Sequence, residues 1–267
     1  MIISILWATL VVTGLFIIFY FIGFMQRSFN TVDIAYGSGF ILAAVVVWIL
    51  SESAFLIERK IMVTGLVILW GIRIAVFLTI RKFGKDENTG EDRRFKNLRD
   101  RWGKSLWWKG LLSVYLSQVI LIILIGLPVL VVNANPIVER GWLVTDYIGI
   151  GIWIIGFFFE FTADLQMMLF KKKPENKGKI MKEGLWKLSR HPNYFGEITM
   201  WFGLFIIALY EFKAWNIVSI IGPIVIALIL TYVSGLPLAE RRYKDNEEYQ
   251  EYKRKTSAVI PWKPKKK

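Results

Sequence analysis

The sequence has no cysteine and a single histidine, His191. The first absence excludes disulfides, thiolate nucleophiles and thiolate metal ligands. The second argues against a histidine-built metal centre. No carboxylate cluster of suitable spacing takes its place, so the chain reads as one without a metal. Acidic charge is also sparse: 21 Asp and Glu stand against 34 Lys and Arg, a formal net charge of +13. What is abundant is apolar. Of 267 residues, 55% are hydrophobic and 15% aromatic, and mean hydropathy is +0.45. Soluble domains are less apolar than this. Long apolar runs broken by short charged segments indicate a polytopic membrane protein.

A bilayer-spanning helix needs about 20 mostly apolar residues. Seven stretches qualify: Ile2–Phe24, Val32–Leu50, Ile61–Ile80, Gly110–Val132, Asp146–Phe170, Tyr194–Tyr210 and Ile217–Leu236. The expected fold is therefore all-α: one membrane domain over 1–267, a bundle of about seven transmembrane helices with a tail at 237–267. The first stretch lacks a basic lead and a small-residue cleavage site, and it is too long for a signal-peptide core. It reads as a retained helix.

Basic residues orient the bundle. Segments 81–109, 171–190 and 237–267 hold ten, eight and ten Lys or Arg, and Arg27 joins them. The other side has Arg59, Lys60, Arg140 and Lys213. Seven spans collect every rich segment on one face, with the N-terminus outside and the C-terminus cytoplasmic. Positive charge beside apolar spans suits anionic headgroups and anionic cofactors. No nucleic-acid-binding module is visible, so nucleic acid is not an expected partner.

The most informative stretch runs from Gly184 to Glu197. It sets Arg190, His191, Asn193, Tyr194 and Glu197 at the mouth of an apolar segment. Polar groups at membrane depth are costly, which marks such a cluster as a candidate site. Singly, each residue has a plain structural reading. Asn193 caps the sixth helix, Pro192 opens it, Tyr194 and Trp201 anchor the interface, and Arg190 and Lys187 are cytoplasmic flanks. Together they are harder to explain as scaffold, and Glu197 lies inside the apolar run. The preceding stretch carries Glu160, Asp164 and Gln166, followed by Lys171-Lys172-Lys173. Glu160 and Asp164 share one helix face. Interhelical hydrogen bonds are the plain reading; a polar wall opposite Asn193 and Glu197 is the functional one, with lysines placed for phosphates. In the tail, Glu240-Arg241-Arg242-Tyr243 and then Tyr249, Tyr252, Lys253, Arg254 and Lys255 form an amphipathic helix pattern. It attaches to the membrane surface or folds back over a cofactor.

From Glu160 to Glu197, and again from Tyr243 to Trp262, the chain resembles the C-terminal domain of the steroid 5-alpha-reductase superfamily. The resemblance is nearest to a bacterial branch of membrane proteins. It extends over Val32-Asp33-Ile34-Ala35-Tyr36-Gly37, Leu69-Trp70-Gly71-Ile72-Arg73, Gly90-Glu91-Asp92-Arg93-Arg94-Phe95 and Arg101-Trp102-Gly103-Lys104. Val233-Ser234-Gly235-Leu236-Pro237 and the run from Arg254 to Trp262 complete it. Membrane methyltransferases of isoprenylcysteine and phospholipids carry a related Arg-His-Pro element.

The resemblance implies an oxidoreductase of the bacterial inner membrane that uses NADPH to reduce a carbon–carbon double bond in a steroid-like or other hydrophobic lipid enone. By matching position, Asp164, Asn193, Tyr194 and Glu197 contact the cofactor, Lys171 and Arg190 face its phosphates, and His191 lines the pocket. Tyr243, Arg254 and Lys255 close it from the tail. The charged loop with Gly90-Glu91-Asp92-Arg93-Arg94 reads by default as solvated surface; the segment recurs in that family, and the resemblance implies that it closes over the cofactor. The chain departs from the family where the reductases place a tyrosine acid: Trp70 stands there, and no Glu of the second stretch aligns, Glu52 lying near its outer end. Replacement catalytic candidates are Asp33, Tyr36, Arg73 and Tyr115, the last with Gln118. The alternatives are an S-adenosylmethionine-dependent membrane methyltransferase and a non-catalytic lipid-binding relative. The oligomeric state is not legible.

Overall fold

The computed structural model describes residues 1–51, 57–83, 91, 93–135 and 141–265. Glu52, Gly90, Asp92 and Arg140, and the last two lysines, lie outside the described residues. The helices in chain order are α1 (Ile2–Met25), α2 (Thr31–Ile49), α3 (Ile57–Phe83), α4 (Arg93–Trp102), α5 (Leu106–Gly110), α6 (Ser117–Ile125) and α7 (Leu127–Ala134). There follow α8 (Val144–Lys172), α9 (Pro192–Ala208), α10 (Ala214–Val218), α11 (Ile221–Leu228), α12 (Leu236–Arg241) and α13 (Glu247–Lys255). Among the described residues there is no strand, only an isolated parallel bridge between Ser189 and Ser257. The chain is all-helical, as its composition predicts.

Six helices among the described residues are long and apolar enough to cross a bilayer. The chain is thus an integral membrane protein in contact with lipid. The predicted sixth span corresponds to α9, whose 17 residues lie at the lower end of the range for a crossing. The predicted fourth span is divided: regular helix is interrupted at Gly126, and Pro128 occupies the start of α7, where its missing N–H has no intrahelical partner to lose. The predicted tail helix is likewise two, α12 and α13, joined by a turn. Asn246 caps α13 by accepting the Tyr249 N–H at 2.8 Å, and Pro237 stands in the first turn of α12.

The chain divides into two compact units, Met1–Leu143 with Lys213–Ser219, and Val144–Phe212 with Ile220–Lys267. The first is held by an aromatic knot. Tyr115 lies edge-on to Tyr20 and Phe29, at 5.5 and 5.6 Å between ring centres. Tyr115 sits in a π-helical turn, 111–116, a local widening that is often found at functional positions. Its hydroxyl meets the Thr31 hydroxyl at 2.6 Å. Thr31 already donates to the Phe19 carbonyl at 3.0 Å, so Tyr115 is the donor of the pair. Gly23 makes room for both: a Cβ there would lie 2.5 Å from either hydroxyl oxygen. At the far side of the unit, Asn133 is fully buried and donates to the Ala44 carbonyl and to Thr64, both at 2.9 Å. Buried amides in an apolar bundle stay where such partners are met.

The second unit is organised by the α8–α9 pair. Gly149 and Gly156 stand seven apart on α8; Gly196 and Gly203 stand seven apart on α9. A Cβ on Gly149 would lie 2.6 Å from the Gly203 carbonyl oxygen, and one on Gly156 would lie 2.6 Å from that of Gly196. The heptad spacing keeps each pair on one helix face. Small residues let membrane helices approach closely, where packing rather than hydrophobicity drives association. This seam fixes the register of α8 on α9, and with it the polar residues at the end of both helices.

Candidate functional site

The candidate site lies in the second unit, past the last pair of glycines in the seam. Pro192 is the first residue of α9, and His191 is the residue that caps it, without a side-chain hydrogen bond to the helix. Asn193 does not cap the helix, contrary to the plain sequence reading. Its amide group reaches across to α8 and donates from Nδ2 to Asp164 Oδ1 at 3.2 Å. A carboxylate accepts only, so the NH₂ side must face Asp164 and the carbonyl must face away. That carbonyl oxygen, Asn193 Oδ1, is buried and has no hydrogen-bond partner. Such orphans are rare and are costly unless something meets them. One turn earlier on α8, Glu160 is buried and its backbone packs on Gly196. Glu197, next to that glycine, is half-buried in the second turn of α9.

His191 stacks on Tyr194, with ring centres 4.8 Å apart and planes within 7°. Its Nε2 lies 3.4 Å from Glu240 Oε1. The same oxygen accepts Arg190 Nε at 2.8 Å, and Lys253 Nζ pairs with Glu240 Oε2 at 2.9 Å. Arg190 also donates from Nη1 to the carbonyls of Lys253 at 2.9 Å and Thr256 at 3.0 Å. Arg190, His191 and Glu240 are each less than a tenth exposed. The guanidinium presents a planar fork that serves several acceptors at once. Here those acceptors belong to the tail.

The tail itself is strapped along 186–190. The Arg190 N–H donates to the Ser257 carbonyl at 2.8 Å, and the Trp262 N–H to the Leu188 carbonyl at 3.0 Å. Ser189 Oγ donates to the Val259 carbonyl at 2.7 Å. Tyr252 donates to the Trp186 carbonyl, and Trp186 in turn donates from Nε1 to the Ala163 carbonyl on α8 at 3.1 Å. Gly184 turns the chain into this strap with φ +57, and its missing Cβ leaves space for Gln166, which accepts the Leu185 N–H at 3.0 Å. A left-handed backbone of this kind is natural to glycine.

Three tail tyrosines pack into the same structure. Tyr243 stacks on Tyr249, with centres 4.5 Å apart, and the Arg242 guanidinium lies over the Tyr243 ring. Burial pushes the Tyr249 and Tyr252 phenols above their ordinary range, and the Glu240 carboxylate pushes them the same way. Both therefore stay neutral wherever the tail is folded at moderate pH.

The structure thus brings Asp164, Arg190, His191, Asn193 and Tyr194 to one end of the α8–α9 pair, with Tyr243 in the tail that folds onto it. Lys171 is exposed at the end of α8 and Arg254 is exposed on α13. Lys255 pairs with Glu251 at 2.5 Å. The remaining predicted residues belong to the first unit. Asp33 and Tyr36 are half-buried on α2, Arg73 is half-buried on α3, and Tyr115 is fully buried in the aromatic knot. Tyr36 lies edge-on to Phe40 and Trp70, at 5.0 and 6.4 Å between centres, and Trp70 is buried. Sequence reasoning placed Glu240 and Tyr252 in a tail that could fold over a cofactor but gave neither a contact of its own, and it did not single out Ser189. For Glu240 a signal existed: it is the one acid of the segment Leu236–Arg242, one step after an apolar pair.

Relatives of the chain point in two chemical directions. "Probable O-methyltransferase ustE" of Ustilaginoidea virens is 37% identical over 68 residues, 26% of this chain. "Steroid 5-alpha-reductase DET2" of Gossypium hirsutum is 40% identical over 55 residues, 21% of this chain. The chain covers 21% of the length of each of these relatives. No solved structure matches it. Residues 19–256 match the family described as "Protein of unknown function (DUF1295)", a span that holds the whole polar cluster, and the chain belongs to that family, within the steroid 5-alpha-reductase-like superfamily.

Proposed function

We propose that the protein is a membrane oxidoreductase that uses NADPH to reduce a carbon–carbon double bond in a steroid-like or other lipid enone. The observation that carries this reading is Asn193 Oδ1, a buried acceptor turned away from Asp164 and left without a hydrogen bond. A donor from outside the chain would satisfy it, and a nucleotide offers amide, amino and hydroxyl donors. The stacked His191–Tyr194 pair adds an aromatic surface beside it. The donor set therefore fits the cofactor. Asp164, Asn193, Tyr194 and Glu197 hold it, His191 lines its pocket, and Lys171, Arg254 and Lys255 offer cationic charge toward its phosphates. Arg190 and Tyr243 serve through the strap that shapes this surface.

The chemistry that NADPH supplies when bound is a hydride for the enone. The chain orients the reactants and keeps water away. Asp33, Tyr36, Arg73 and Tyr115 form the candidate set for holding and delivering the proton that completes the addition. Tyr115 already points its proton at an oxygen, that of Thr31. An apolar bundle open to lipid suits a hydrophobic substrate, and in low dielectric a donor aimed at the developing enolate is strengthened.

The reading includes a topology. Seven crossings, with the N-terminus outside and the C-terminus cytoplasmic, set the polar cluster and the basic tail where nucleotides are found, in a bacterial inner membrane.

The match to an O-methyltransferase favours a second reading, in which the same cluster holds S-adenosylmethionine. Thermal unfolding of the detergent-solubilised protein with NADPH, NADH or S-adenosylmethionine separates the two. A ligand bound only by the folded state raises the melting temperature. NADPH is expected to do so most strongly. Selective stabilisation by S-adenosylmethionine overturns the reductase assignment.

A further inference from the structure

Glu240 is nearly fully buried, yet its carboxylate meets three cationic or protonatable groups from two different parts of the chain. Oε1 faces Arg190 Nε at 2.8 Å and His191 Nε2 at 3.4 Å, and Oε2 faces Lys253 Nζ at 2.9 Å. The residue stands on α12, directly between the last apolar helix and the tail. Through Oε1 it touches the histidine two positions before Asn193.

A carboxylate paired with an arginine is ionised and only accepts. The imidazole nitrogen facing it must then carry hydrogen. That settles a choice the ring itself leaves open, since neutral histidine places its proton on either nitrogen. With Nε2 committed to Glu240, Nδ1 is the acceptor, and the ring plane is held parallel to Tyr194. The Arg190 side chain, on the same oxygen, ties the backbone just before His191 to the carbonyls of Lys253 and Thr256.

We propose that Glu240 is a positioning residue for the nucleotide site: it fixes His191 as the Nε2–H form and, through Arg190, makes the tail part of the site's geometry. This rests on the reading of the cluster as a nucleotide site, but its first consequence is independent of any ligand. The role differs from a simple ion pair. An ion pair holds the strap; it does not decide which nitrogen of an imidazole is protonated.

The single histidine makes this measurable. In full-length protein labelled with ¹⁵N-histidine and held in detergent micelles, one pair of ring nitrogen signals is expected. At alkaline pH, Nε2 of the unaltered protein gives the signal of a protonated nitrogen and Nδ1 that of an unprotonated one. Glu240→Gln keeps an acceptor oxygen and keeps this pattern. Glu240→Ala loses it and gives averaged signals, with NADPH binding weaker by about tenfold or more. An unprotonated Nε2 in the unaltered protein overturns the proposal without recourse to any variant. So does a Glu240→Ala variant whose ring signals and NADPH affinity are both unchanged. If instead NADPH leaves the histidine signals of the unaltered protein unmoved while the Nε2–H pattern depends on Glu240, the nucleotide reading fails and the Glu240–His191 coupling stands.

Discussion

Gly156 on α8 and Gly196 on α9 lie back to back, each occupying the place where a side chain on the other would have to go. A Cβ on Gly156 would approach the Gly196 carbonyl to 2.6 Å, and one on Gly196 would approach the Gly156 carbonyl to 2.5 Å. Backbone cannot yield as a flexible side chain does. Gly196→Val is therefore expected to destabilise the protein by about 1–3 kcal/mol, the usual cost of overpacking. Gly151, on the same helix, has open space around it. Gly151→Ala is expected to be neutral or to stabilise by about 0.5–1 kcal/mol, because alanine loses less chain entropy than glycine in a helix. Thermal unfolding in detergent measures both.

Asn193 joins the two helices beyond that seam. Asn193→Ala removes the orphan acceptor and the bond to Asp164, and NADPH affinity is expected to fall by about tenfold to a hundredfold with the fold intact. Glu197→Ala is expected to weaken binding in the same direction. Asn193→Asp is the sharper variant, since it sets two carboxylates side by side at neutral pH. Titration calorimetry with NADPH checks all three, and unchanged affinity in the two alanine variants refutes the site.

Arg190→Lys keeps the charge and loses the fork. One ammonium cannot reach Glu240 and the carbonyls of Lys253 and Thr256 together, so the strap is expected to loosen. Brief trypsin treatment followed by mass spectrometry should show earlier cleavage at Lys253, Arg254 and Lys255 than in the unaltered protein. A cleavage pattern identical to that of the unaltered protein removes Arg190 from the account of the tail.

Alkaline pH should open the same region. Tyr249 and Tyr252 have phenols raised by burial. A group with its folded value raised contributes stability that is fully present below its unfolded value, about pH 10 for tyrosine. That contribution is lost as pH climbs through the folded value. Tail cleavage is thus expected to stay flat up to about pH 10 and to rise beyond it. Tyr252→Phe, which cannot ionise but also cannot reach the Trp186 carbonyl, is expected to flatten the rise while starting from a looser tail.

The class of fold was legible because apolar length is a property of composition, and the helices follow from it. The break at Gly126–Pro128 was less so: a Pro inside an apolar run is compatible with a continuous span until packing decides otherwise. Asp164 and Asn193 were legible as polar residues out of place. That Asp164 faces Asn193 was one of two readings; the bond itself was not legible, because it depends on the register set by the glycine seam, and the plain capping role for Asn193 was equally good on sequence alone. Arg190 read as a residue turned toward phosphate. Its partners lie 50 to 66 positions further along the chain, and no local pattern encodes such a distance. Glu240 stayed unassigned for the same reason, its significance residing in what folds against it.

The strap has a bearing on biosynthesis. Arg190 and His191 leave the ribosome long before Glu240, Thr256 and Trp262 exist to receive them. During that interval the loop ahead of α9 holds a guanidinium and an imidazole with no companions. The earlier helices can be inserted, paired along their glycines and seated in lipid while the polar cluster is still unfinished. Closure of the strap is therefore the last step in the folding of this polypeptide, and a translation product halted before residue 256 should reach the membrane with its helices paired and Arg190 lacking its partner at Thr256.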